Sequence, residues 1–114
     1  MAPKITIRKA EGTWTVRAGG AVLGESRNAL ELSEGDLKPV IYFPREDIAM
    51  AFLDRTDHGT HCPWKGDASY YSIVTKSQTL TNKVWTYEAP LEGVERIKDH
   101  LAFYVDDTVA VERI

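Results

Sequence analysis

TWTVRAGGAVLGE, residues 13–25, is the stretch that decides the fold class. Thr13 to Arg17 alternates polar and apolar side chains, which places Trp14 and Val16 on one face of an extended segment. Gly19-Gly20 follows, and two glycines tolerate the positive φ angles of a tight hairpin turn. Ala21 to Glu25 is then the returning strand. The same period of two recurs outward in both directions. Ile5 to Arg8 alternates before it, and the β-branched and aromatic run Val40 to Phe43 reads as a strand. Further strands are expected over Ala68–Thr75 and Val84–Glu88. Leu101–Val105 and Thr108–Ile114 are expected to pair as a terminal hairpin about Asp106-Asp107. Residues 26–39 are polar and rich in turn formers, and read as a connection with an irregular or short-strand portion.

One segment breaks the pattern. In PREDIAMAFLDRT, residues 44–56, Pro44 suits a first helical turn and Glu46 and Asp47 complement a helix N-terminus. Ile48, Ala51 and Phe52 share the apolar face of a 3.6-residue period. A short helix near 45–54 is expected, inside a mainly β domain of about eight short, mostly antiparallel strands. No internal repeat or linker divides residues 1–114, so a single domain is expected.

The 114 residues can bury roughly 65% of their unfolded surface without a disulfide. The single cysteine forms no internal disulfide and is compatible with a reducing compartment. With 14 basic and 17 acidic residues, the net charge of -3 disfavours broad phosphate-backbone binding, so no nucleic-acid partner is expected. The first residues, MAPKITIRKAEG, lack an apolar signal core, and no run approaches the ~18 apolar residues of a membrane helix. A soluble cytoplasmic protein without a membrane partner is therefore expected. Neither GxGxxG nor GxxxxGK[ST] occurs, and no cofactor is expected.

Reactive side chains concentrate in HGTHCPWKGDASYY, residues 58–71. His58, His61 and Cys62 are ligand types that zinc accepts, but adjacent ligands rarely meet in one tetrahedron and paired C-x₂-C knuckles are missing. No metal site is expected. Cys62 becomes a nucleophile only as a thiolate, which Lys65 three residues on favours, whereas a free cysteine is more often a small buried thiol. Pro63 and Gly66 bracket Trp64 and Lys65 in a stiff turn suited to an anionic or planar small molecule. Arg45 at the helix start could clamp an anionic group, with Asp47 to orient Lys65. Cys62 and Lys65 are thus candidate catalytic groups, and Arg45, Asp47, Thr60, Trp64 and Tyr70 candidate ligand-binding groups. Trp85, Tyr87, Phe103 and Tyr104 read as core aromatics.

Three segments taken together resemble a known family: VIYFPREDIAMAFL (40–53), THCPWKGDASYYSI (60–73) and VWTYEAP (84–90), followed by LAFY (101–104). The ordered set is similar to that of the DUF427 family, small domains of unknown function sometimes labelled nucleotidyltransferase-like. The resemblance implies a folded-sheet domain of the β-tent, Mss4-like type. Some members of that group hold zinc through paired cysteines, and this chain has only Cys62. A nucleotidyltransferase motif, a Gly-Ser turn followed by spaced aspartates, is absent. The expected function is binding of a small ligand at the 60–70 loop joined to the helix start at 45–47, with an enzymatic role left open. The alternatives are a non-catalytic interaction module, homodimeric in one version, and a thiol-reactive protein using Cys62.

Overall fold

The computed structural model describes residues 3–114. Ten strands occur among them: β1 (Ile5–Lys9), β2 (Trp14–Ala18), β3 (Ala21–Ser26), β4 (Leu30–Glu34), β5 (Val40–Tyr42), β6 (Leu53–Cys62), β7 (Gly66–Val74), β8 (Thr79–Tyr87), β9 (Ala102–Phe103) and β10 (Val109–Arg113). They form three antiparallel sheets, ordered β1-β4-β5, β10-β2-β3 and β6-β7-β8-β9. The first hairpin is as expected: Ala18 pairs with Ala21 across Gly19-Gly20. An isolated bridge between Phe43 and Leu101 joins the edge of β5 to β9, so the first and third sheets run on as one folded surface, which is not a closed barrel.

The helical region near 45–54 consists of two single 3-10 turns, Arg45–Asp47 and Met50–Phe52. They do not fuse because Ile48 between them is extended, with φ −109° and ψ 136°, and bridges Gly24 of β3. The neighbouring Ala49 N–H donates to the Leu23 carbonyl at 2.7 Å. Sheet pairing thus claims backbone groups that a helix would need. Gly24 is required at this crossing: a Cβ there would lie 2.6 Å from the Asp47 carbonyl oxygen and 2.6 Å from Ile48 Cδ1.

Two expectations change. The terminal hairpin does not form, because β9 pairs with β8 and β10 pairs with β2. The chain around β9 already bonds Phe43 on one side and β8 on the other, which leaves no edge for β10. Asp106 instead turns the chain by accepting from the N–H groups of Thr108 and Val109, and so carries it from one sheet to another. The second change is β6, a ten-residue strand in a stretch read mostly as loop. It is a sheet edge whose side chains are nearly all exposed after Leu53, so it carries no apolar alternation to betray it.

The third sheet is apolar on both faces. One cluster joins Val16, Leu23, Phe43, Ile73, Val84 and Val109, linking it to the β10-β2-β3 sheet. The other joins Leu32, Tyr42, Ala68, Tyr70, Tyr87 and Ile97, linking it to β4 and β5. Tyr42 and Phe43 divide between the two clusters, as do Tyr70 and Tyr71, because successive side chains of a strand point to opposite faces.

Candidate functional site

The β6–β7 hairpin closes through Pro63, Trp64 and Lys65, with Cys62 paired to Gly66. The Lys65 N–H donates to the Cys62 carbonyl at 3.3 Å, and the Leu91 N–H donates to the Lys65 carbonyl at 3.0 Å. Gly66 holds φ +111°, a conformation that L side chains rarely adopt. This turn sends the Lys65 side chain inward, where it is only 12% exposed and forms an ion pair with Glu34 at the end of β4, itself 18% exposed. Burial opposes the Lys65 charge, but the hydrogen bond to Glu34 and the nearby Cys62 sulfur outweigh it, and the ammonium holds its proton more tightly than an ordinary lysine.

The pair lines a cavity of about 390 Å³ between the β4–β5 edge and one face of β7 and β8. Its walls are aromatic. Trp85 and Tyr104 lie with ring centroids 4.6 Å apart and planes tilted by 46°, and Tyr42 meets Trp85 edge-on at 6.3 Å. The Trp85 indole N–H donates to the Tyr42 hydroxyl at 3.2 Å. Tyr70 and Thr60 share a hydroxyl–hydroxyl bond of 2.9 Å, and Tyr70 lies 3.4 Å from the Tyr104 hydroxyl. Outside this row the His58 ring packs edge-on against Tyr70 at 4.5 Å. Burial pushes the Tyr42 and Tyr87 phenols well above their ordinary range, and the bond to Tyr70, reinforced by burial, pushes Tyr104 up to about 12. At neutral pH these hydroxyls are therefore uncharged donors and acceptors.

Of the residues singled out from sequence, Thr60, Lys65 and Tyr70 line this cavity together. Trp64 projects from the hairpin tip, 39% exposed, and is not part of the lining. Cys62 is half-buried against the Tyr70–Tyr87 cluster, beside the cavity and outside its lining. Arg45 and Asp47 lie elsewhere, so the expected junction of the 60–70 loop with the helix start does not form. The Arg45 guanidinium donates to the Tyr71 hydroxyl at 3.1 Å, to Thr86 Oγ1 at 3.5 Å and to the Asp99 carbonyl at 3.2 Å, and sits 5.8 Å from the Tyr71 ring centroid. Tyr71 belongs to the face opposite Tyr70, and Arg45 goes with it. Asp47 accepts from the Ser26 hydroxyl at 2.6 Å.

Sequence reasoning missed Glu34, which sits in a stretch read as a polar connection and carries no local signal. It also read Trp85, Tyr87 and Tyr104 as core aromatics: Tyr87 is in the buried cluster and Trp85 packs against it, but Tyr104 is 47% exposed, and all three also line the cavity. Strand spacing identifies the shared face of Trp85 and Tyr87 but not what covers it. His61 pairs with Asp67 at 2.7 Å on the surface, and among the described residues no three His, Cys, Asp or Glu side chains converge to hold a metal.

No curated protein matches the chain. A family model described as a domain of unknown function (DUF427) matches residues 6–113. That span runs from β1 to β10 and includes the β6–β7 hairpin and the aromatic cavity wall, and on it the chain belongs to the DUF427 family.

Proposed function

We propose that the domain binds a planar small molecule in the cavity between β4–β5 and the β7–β8 face. The observation that carries this reading is the convergence of Tyr42, Trp85 and Tyr104 rings with a sheltered Lys65–Glu34 pair around one opening of about 390 Å³. Ligand sites of about 300–1,000 Å³ are commonly apolar with a few placed polar groups, which is the composition here. Aromatic walls favour a flat ligand through offset or edge-on ring contact. Because Glu34 already neutralises the sheltered Lys65 and the remaining cation of the lining, Lys38, is exposed to water, the ligand's shape governs recognition more than its charge. Binding alone accounts for this arrangement, and no reaction is assigned to it.

Titration with quinoline, followed by nitrogen–proton correlation spectra, tests the reading. The expected result is movement of the Trp85 indole N–H and of the Thr60 and Tyr70 amides, with Asp47 still. Shifts confined to other surfaces, or none, remove it.

A second reading, homodimerisation over the cavity mouth, is favoured by the exposed Leu37 and Tyr104 at its rim and by Val105 beside them. Sedimentation equilibrium decides it: a monomer at the highest soluble concentration ends that reading.

A further inference from the structure

Three unused hydrogen-bonding capacities face the cavity. Lys65 has three N–H donors, and among the described residues only Glu34 engages them. Glu34 accepts through Oε1, which leaves Oε2 without a bond among those residues. Tyr87 is 5% exposed and lines the cavity, and its hydroxyl has no hydrogen-bond partner among the described residues. No fully enclosed side-chain polar atom in the described structure lacks a partner. The Tyr87 hydroxyl therefore reaches open space, and the cavity is the space it borders. Buried polar groups are ordinarily paired, so a cavity that shelters several free ones is matched to a partner that supplies the complement.

Resting on the planar-ligand reading, we propose that the ligand is an uncharged ring with a hydrogen-bond acceptor and donor side by side on one edge, as in a lactam, with Lys65 donating to the acceptor, Glu34 accepting from the donor, and Tyr87 adding a third polar contact. Charge supports the neutral class. The sheltered Lys65–Glu34 pair sums to zero, the third charged group of the lining, Lys38, is exposed at the rim where water screens it, and an anion drawn to Lys65 must approach the Glu34 carboxylate. A lactam edge satisfies both members of the pair without separating them. A ring lacking that edge leaves their remaining donors and acceptor dry and unpaired, which weakens its binding.

Three probes of similar shape separate the possibilities: 2-quinolone with a lactam edge, quinoline without one, and quinoline-2-carboxylate as the anion. Affinities come from titrations of the intact domain that follow the Trp85 indole N–H resonance. The expected result is that 2-quinolone binds at least about tenfold more tightly than either other probe, equivalent to about 1.4 kcal/mol. Tyr87→Phe should weaken 2-quinolone severalfold and leave quinoline unchanged. Glu34→Ala, or Glu34→Gln should the alanine variant fail to fold, should make the carboxylate the tightest of the three by freeing Lys65. Equal binding of quinoline and 2-quinolone overturns the edge proposal and leaves the planar reading standing. Tightest binding of the carboxylate to the unaltered protein overturns the neutral class. No response to any probe overturns both readings.

Discussion

Tyr70 and Tyr71 are consecutive in β7 yet belong to opposite faces of one sheet: the Tyr70 hydroxyl bonds Thr60 at 2.9 Å beside the cavity, while the Tyr71 hydroxyl accepts from Arg45 at 3.1 Å on the far side. This division separates an aromatic cavity with a sheltered Lys65–Glu34 pair from a structural arginine. It sets what each variant should do.

Arg45 should matter for folding and not for the cavity. Arg45→Met removes donors to Tyr71, Thr86 and the Asp99 carbonyl. Urea unfolding is expected to show a loss of about 1–3 kcal/mol. The quinoline-induced shift of the Trp85 indole N–H should persist unchanged, and its disappearance in a folded Arg45→Met protein would contradict the two-face division.

The Lys65–Glu34 pair should be costly to halve and cheap to replace whole. Glu34→Leu alone strands a sheltered ammonium, for a loss of about 1–3 kcal/mol in urea denaturation, and Lys65→Met alone strands the carboxylate. The double variant Glu34→Leu with Lys65→Met should regain most of that loss, because neither polar partner is left alone. A double variant as unstable as the sum of the two singles would show that the residues act independently.

Stability should fall on the alkaline side. Tyr42, Tyr87 and Tyr104 have folded values raised above the ordinary 10.0. The unfolded chain therefore releases their protons first as pH climbs past 10.0. Their contribution is fully present below that pH and is lost progressively as pH rises toward the folded values. The raised Lys65 acts in the same direction above its ordinary 10.5. Urea midpoints measured across this range should drop, and Tyr87→Phe should lessen the drop while changing neutral-pH stability little, since its hydroxyl has no partner among the described residues.

Gly24→Ala should destabilise by about 1–3 kcal/mol through overpacking. The added Cβ would meet a backbone carbonyl at 2.6 Å, and the Asp47 backbone is anchored by the pairing of its neighbour Ile48. Gly20→Ala is the control: nothing lies within 4 Å of its Cβ position, and its φ is not in the left-handed region. Thermal melts of the two variants should differ clearly. Equal melting temperatures would refute the close approach of β3 to the 3-10 turns.

Particular residues show where the sequence was legible. Gly19-Gly20 and the alternation around Trp14 and Val16 report a hairpin because both signals are local. The Pro63-to-Gly66 turn follows from local φ preferences, whereas the inward course of the Lys65 side chain is seen only in the structure, where it pairs with Glu34. By contrast, the pattern around Ile48 favours a helix by period, and pairing with Gly24 some two dozen residues earlier overrides it. Phe103 and Val109 look like the two arms of one hairpin, but each strand finds its partner in a different sheet.

The sequence by itself determined the mainly β class, the family and the presence of a lysine-bearing turn, because propensity, period and turn chemistry act over a few residues. Only the tertiary structure decided that Glu34 answers Lys65, that Trp85 and Tyr104 form a wall, and that Arg45 is turned away from both. A period of two says which side chains share a face. It does not say which distant strand covers that face, and that depends on burying both faces of the third sheet at once.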